Sequence, residues 1–374
     1  MNVLTTDLLS ALEFVAPFAD RNGTIPITQC VLIDTTDNAL RLTATNLESV
    51  GRASIRTEGA GGWTVAIPAN LFLRYLRTIN AAVVTLECGN KHSSDRTAEP
   101  ANSIGHGLAI SYGENGRANI QGMSAANFPM VPEADDIALG ITGLRTALPR
   151  TILSISEDES RFTLNGALLT IGQGNQWGLC STDGHRLGFQ ALNIATLPEG
   201  VAKFPFRALL ARTAITHLIR ADVDAAKIQQ DDNHLFFALD NNREIITRKL
   251  TGKFPDYEKF MNSMPNNGTF DAKAMLAALN SVGQFADARS RSVRFTLTLD
   301  KIALRGEGVE RGCAIDAVAM DWKWPSLEFA LNGTYLKQFL ELVDGPVSFC
   351  AKDAHTQFRF EVPGWCYIAM PMRI

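Results

Sequence analysis

Cys180 to Gly188 reads CSTDGHRLG and places a hydroxyl, a carboxylate, an imidazole and a guanidinium in consecutive positions. An imidazole oriented by a carboxylate can take a proton from a serine, so Ser181, Asp183 and His185 raise the chemistry of a nucleophile and its base. Adjacency in sequence speaks against it. On an extended strand neighbouring side chains point to opposite faces, so Asp183 and His185 share a face with Ser181 a full pleat away. Other reactive combinations are sparse. Gly172-Gln173-Gly174 falls inside a hairpin with no strand-to-helix phosphate loop after it. Glu157-Asp158-Glu159 reads as a solvated acidic turn, because consecutive carboxylates do not converge on one ion. His92, His106, His217, His234 and His355 show no i, i+4 pair, and the six cysteines show no C-x-x-C. No metal, no cofactor and no catalytic residue is expected.

The elements that must hold these side chains are easier to read. The chain has 374 residues, 46% hydrophobic and 20% charged, with a formal net charge of -4, as in an ordinary soluble globular protein of two or three domains. Residues 1–7 carry an early acid and no basic stretch, and no uncharged apolar run is long enough to span a bilayer, which implies a cytoplasmic protein without membrane contact. Scattered cysteines agree with a reducing compartment. Apolar alternation broken by short polar turns predicts hairpins over 31–46, 108–122, 169–182, 235–250, 293–308 and 347–361. Helical patterning precedes each, over 5–21, 68–80, 140–151, 205–221, 271–289 and 332–343, with Pro149 expected to end or kink the third.

Six helix-then-hairpin units suggest an internal repeat. Thr45 in ATNLE and Thr182 in STDGH stand at one offset, which also aligns Pro68 with Pro205, while Asn332 takes the same place in the last third. Asn127-Phe128-Pro129 and Lys253-Phe254-Pro255 close the first two thirds. The reading is three similar α+β domains, 1–130, 131–258 and 259–374, each with two helices and a mostly antiparallel sheet. The Thr-Asx pair occurs as Thr45-Asn46 and again as Thr182-Asp183, so it is turn chemistry of the fold. A catalytic carboxylate would have no reason to be an amide in the sister domain.

TDGHRL (182–187), FPDY (254–257) and a terminal MPMRI (370–374), with RFTLNG (161–166) and LNGTY (331–335), resemble the β subunit of bacterial DNA polymerase III, the sliding clamps, along the whole chain. The resemblance implies a head-to-tail homodimeric ring of six domains, helices inside and sheets outside. Such a ring encircles duplex DNA without sequence specificity, is loaded by an ATP-driven clamp loader and tethers polymerase to its template. It also implies a hydrophobic cleft for short peptides of the polymerase α subunit, the loader δ subunit and other factors. Carried over to this sequence, the cleft comprises Arg161, Leu164, Thr182, Gly184, His185, Arg186, Leu187, Pro255, Lys259, Phe260, Asn332, Tyr335, Val347, Met370, Pro371, Met372 and Arg373. Lys259 stands where the family often has arginine, and Phe260 replaces a smaller aliphatic residue.

Two features of the residues themselves accord with this. The six helical segments hold eleven basic residues, Arg21, Arg74, Arg77, Arg145, Arg150, Arg207, Arg212, Arg220, Lys273, Arg289 and Lys337, against six acids in an acidic protein. All but Arg289 are taken as DNA-facing, a lining that attracts phosphates without reading bases. The apolar tail with its methionines suits a surface that accepts several peptides, and Pro371 does not suit a central strand. Ile120 and Phe285 are expected at the ring seam. Two other readings stand beside this one: a hydrolase using Asp183 and His185, and a clamp paralogue serving another polymerase.

Overall fold

The computed structural model describes the chain except residues 59–60, 89–106, 135–138, 172–176, 197–205, 263 and 374. His92, His106, Gly172, Gln173, Gly174, Pro205 and Ile374 therefore lie outside the described residues. All six expected hairpins are present: Cys30–Thr36 with Ala39–Thr45, Gly107–Tyr112 with Gly116–Gln121, Gly166–Ile171 with Trp177–Thr182, His234–Leu239 with Arg243–Arg248, Ser292–Leu297 with Lys301–Gly308, and Pro346–Ala351 with Phe358–Val362.

Among the described residues six α-helices form, α1 (Thr5–Val15), α2 (Ala69–Leu76), α3 (Leu144–Ile152), α4 (Arg212–Arg220), α5 (Ala272–Val282) and α6 (Gly333–Leu340). Each is shorter than its sequence pattern, for local reasons. Pro17 passes the end of α1 into a 3-10 turn, Ala16–Phe18. Asp271 caps α5 by accepting the Ala274 N–H at 2.9 Å, and Asn332 caps α6 through the Thr334 and Tyr335 N–H groups. Pro149 does not end α3, which runs on to Ile152. The start of α4 is a larger correction. Arg207–Ala211 is a strand paired with Gly166–Thr170, and the helix opens only at Arg212. A short apolar run such as Ala208-Leu209-Leu210 fits a buried strand as well as a helix. Ala211, not Pro205, thus occupies the place that Pro68 and Asn332 hold before their helices.

The chain gathers into two compact units, Met1–Gly140 with Arg220–Lys249, and Ile141–Ile219 with Leu250–Ile374. In the first, seven strands run in the order Ala225–Gln230, His234–Leu239, Arg243–Arg248, Ser49–Arg56, Ala39–Thr45, Cys30–Thr36, Thr64–Pro68, all antiparallel. A second sheet runs Asn2–Leu4, Val83–Cys88, Gly107–Tyr112, Gly116–Gln121. In the second unit twelve antiparallel strands form one sheet, with Arg186–Ala191 joined to Trp365–Ala369 near its middle. Buried residues alternate along strands such as Lys301–Gly308, whereas Trp365–Ala369 is buried at every position, and helices pack on the sheets. An extensive core lies beneath α5 and α6, where Phe329 and Phe358 stack at 4.0 Å and Phe339 packs on Trp365 and Tyr367 at 4.7 and 4.9 Å between ring centroids.

Candidate functional site

The loop after Trp177–Thr182 is built by its own side chains. Thr182 Oγ1 donates to the Arg186 carbonyl at 2.7 Å and accepts the Gly184 N–H at 3.1 Å. Asp183 Oδ1 accepts the N–H groups of His185 and Arg186 at 2.9 and 3.0 Å. Thr45 and Asn46 make the same bonds to Leu47, Glu48 and Ser49. Leu47 and Gly184 share the left-handed backbone, at φ 76° and 90°. The Thr-Asx pair is therefore a turn device used twice.

What remains of the reactive cluster is spent or dispersed. Ser181 is fully buried and its hydroxyl donates to the Thr151 carbonyl of α3 at 2.6 Å. The second oxygen of Asp183 holds Arg186 Nε at 2.9 Å, and His185 stands exposed at the tip. No serine–imidazole contact is assembled.

Arg186 fastens the loop to α6. Its guanidinium lies 4.1 Å over the Tyr335 ring and donates to Gln338 Oε1. Burial pushes this guanidinium down, but Tyr367 and Asp183 together hold it above its ordinary value. The last strand then completes the site. Trp365–Ala369 pairs with Arg186–Gln190, the Met370 N–H donates to the His185 carbonyl at 2.9 Å, and Met372 N–H crosses to the Ala330 carbonyl at 2.8 Å. Pro371, which has no N–H to give, sits at the change of partner.

These elements enclose an apolar cavity of about 220 Å³. Leu164 walls one side, Thr182, Gly184, Arg186 and Leu187 another, Pro255, Tyr257 and Phe260 a third, and Ile368 and Met370 close it. Phe260 and Met370 are each 38% exposed, whereas Leu187 and Ile368 are buried beneath. Eight residues expected from sequence are thereby brought together, and two were missed. Tyr257 is the last letter of FPDY, whereas Ile368 lies just ahead of the MPMRI motif, with no motif of its own. Burial pushes the Tyr257 phenol up to about 12, so it stays protonated at neutral pH.

Other expected members lie around the rim. Arg161 Nη1 donates to the Asp183 carbonyl at 3.1 Å, and Lys259 pairs with Asp256 at 2.9 Å, both side chains exposed. Tyr335 and Asn332 sit at the start of α6, Met372 makes the bridge to Ala330, and Arg373 follows it. Val347 is a correction: it is fully buried in the core, paired with Phe270, with no face toward the cavity. Its side chain belongs to the apolar core beneath α5 and α6, a different cluster from the one that lines the cavity.

The sequence patterns of the DNA polymerase III beta subunit match residues 1–132 for its N-terminal domain and 139–256 for its central domain. The chain belongs to this family, the bacterial beta sliding clamps. It is similar to the beta sliding clamps of Pseudomonas putida, 24% identical over 98% of both chains, and Caulobacter vibrioides, 26% identical over 98% of both. Its fold matches the DNA polymerase III subunit beta of Pseudomonas aeruginosa with a TM-score of 0.87 at 21% identity, covering 100% of this chain and 99% of that one. A C. crescentus beta sliding clamp matches with a TM-score of 0.86 at 23% identity over the same shares.

The six helices of this clamp carry Arg74, Arg145, Arg150, Arg212, Arg220, Lys273 and Lys337 against Asp7 and Glu13. Arg21 and Arg77 lie just beyond helices, and Arg77 is paired with Glu13 at 2.8 Å. Two expected lining residues are corrected. Arg207 is on a strand. Arg150 is drawn inward, donating to Gln190 Oε1 at 3.1 Å with its guanidinium 4.8 Å over Trp365, and burial lowers its basicity. Ile120 lies on the strand Gly116–Gln121, 5% exposed and paired with Leu108, while Arg117, Asn119 and Gln121 face outward from the same strand. Phe285 is half-buried just past α5. Among the described residues no group of three or more His, Cys, Asp or Glu side chains could hold a metal, and no helix is long and apolar enough to cross a membrane.

Proposed function

We propose that this clamp closes head-to-tail with a second copy into a ring of six domains around duplex DNA, with chain boundaries near 130 and 258. The observation that carries this is a strand pairing made twice within the chain. The third hairpin-linked strand of the first domain, Ser49–Arg56, pairs with Arg243–Arg248, the last strand of the second. The corresponding strand of the second domain, Arg186–Ala191, pairs with Trp365–Ala369, the last strand of the third. Among the described residues one strand of each kind is left open: Gly116–Gln121 in the first domain, paired only with Gly107–Tyr112, and residues 312–318 of Gly312–Trp322 in the third, paired only with Lys301–Gly308. A repeated heterologous contact that leaves one edge of each kind closes by adding a copy.

The two existing seams also set the register. Ile245 faces Gly51 and Tyr367 faces Gly188, and their equivalents are Ala118 and Ala314. Asn119 should then face Cys313 of the second copy, both exposed on the outer face. Directly opposed antiparallel residues have Cα atoms about 4.5–5.5 Å apart, within disulfide reach. Oxidised Asn119→Cys protein should run as a covalent dimer that stays on nicked circular DNA when sealed around it and leaves after linearisation. Absence of the cross-link under oxidation, with the fold intact, refutes the seam.

The ring does no bond-making chemistry of its own: it holds on by topology and by phosphate attraction. The cleft at Leu164, Leu187, Pro255, Phe260 and Met370 takes short apolar peptides of the polymerase α subunit, the loader δ subunit and other replication and repair proteins, in the cytoplasm. What supports this is an apolar cavity rimmed by hydrogen-bonded backbone, suited to one or two anchoring side chains.

A further inference from the structure

Between α5 and α6 lies a second cavity, of about 470 Å³, separate from the peptide cleft. Three cations border it, Arg291, Arg311 and Lys337, against one acid, Glu341, whose carboxylate is 3.9 Å from Lys337 Nζ. Amide side chains of Asn280, Gln284 and Gln338 add neutral donors.

Arg291 is held there under strain. Its φ is 55°, in the left-handed region where the Cβ of a non-glycine residue crowds the backbone. Two backbone bonds hold the conformation: its N–H donates to the Asp287 carbonyl and its own carbonyl accepts the Gly333 N–H, each at 2.9 Å. A Cβ on Gly333 would stand 2.7 Å from Val293 Cγ2, so α6 begins as close to this turn as its packing permits. The outcome is an exposed arginine at the cavity wall that makes no ion pair among the described residues. Arg311 reaches the same cavity and is steadied by donating Nη1 to the Gln284 carbonyl at 3.3 Å. A strained residue kept by its surroundings and ending in a cation-lined hollow is the arrangement of a ligand clamp.

We propose that this cavity binds a phosphate group, with Arg291 and Arg311 as its principal ligands and Lys337 as a further charge. Guanidinium forks match phosphate oxygens in pairs. The group is either a phosphodiester of the encircled duplex, which rests on the clamp reading, or a free phosphate anion, which does not.

The test uses the dimeric protein carrying Arg291→Gly and Arg311→Ser. Glycine accepts the left-handed backbone more readily than arginine, so the double variant should melt no lower than the wild type. Two ligands are titrated: a linear duplex over a range of salt, and inorganic pyrophosphate followed by calorimetry. If DNA supplies the phosphate, the slope of log K against log salt becomes shallower by about 1.8, the loss of two phosphate contacts at roughly 0.9 each. If a free anion supplies it, wild-type pyrophosphate binding weakens tenfold or more in the variant. An unchanged slope together with unchanged or undetectable pyrophosphate binding overturns the proposal. Retention of sealed wild-type rings on nicked circles, scored alongside, reports separately on the clamp reading, because topology does not depend on these two side chains.

Discussion

A chain ending at Ala369 isolates what the tail does. It loses the Met370 wall of the cavity and two backbone bonds, Met370 N–H to His185 and Met372 N–H to Ala330. It keeps the five pairs between Trp365–Ala369 and Arg186–Gln190 and all of the core beneath them. Each lost hydrogen bond contributes about 0.5–1.5 kcal/mol net, so melting should fall by only a few degrees. Binding should suffer more in proportion. An aliphatic anchor gains about 1.5–3 kcal/mol when fully buried, and opening one wall returns roughly half of that surface to water. The loss is about 0.75–1.5 kcal/mol, or roughly fourfold to thirteenfold in Kd. Fluorescence anisotropy with a labelled peptide carrying a Leu and a Phe measures it directly. Stimulation of polymerase and binding of the loader should fall together, and the protein should remain dimeric. A Kd within twofold of the full chain, with the fold intact, would remove the cavity from the binding site.

Asp183→Asn should keep the turn, because Asn46 already does the same work in the first domain, and peptide affinity should change less than threefold; Asp183→Ala should lose the turn and cost about 1–2 kcal/mol in urea unfolding. Glu244 is bonded to Arg52 at 2.9 Å, and burial raises its carboxyl despite that guanidinium. The folded state therefore holds this proton more tightly than the unfolded chain. Its contribution is fully present below the ordinary glutamate range and is withdrawn as pH rises through the raised folded value, so Glu244→Gln should flatten the acid side of the stability curve; identical urea midpoints for both proteins from pH 4 to 7 would refute the sign. Gly306→Ala should destabilise by at least about 1–3 kcal/mol, since its Cβ would stand 2.0 Å from the Val282 carbonyl oxygen, and an unchanged melting temperature would show that α5 moves freely away from the sheet.

Local chemistry was readable wherever neighbours in sequence make the structure. The six hairpins follow from alternation and turn residues, and the twin turns at Thr45-Asn46 and Thr182-Asp183 follow from side chains that bond backbone two or three residues on. Asn332 and Asp271 announce their helices for the same reason. The sequence therefore determined the repeat, most of the element types and, through its motifs, eight of the residues around the cavity. It left undecided which apolar run before α4 is strand and which helix, because Ala208-Leu209-Leu210 satisfies both periods until a partner strand is present. Only tertiary structure turned Ile120 and Val347 inward, drew Arg150 onto Trp365 and brought Tyr257 and Ile368 to the cavity wall. Those outcomes depend on pairings across long stretches of chain, such as Leu187 with Ile368, and side-chain facing on a strand reverses with each residue of register. Composition and spacing carry no information about that register; the strand that lies alongside supplies it.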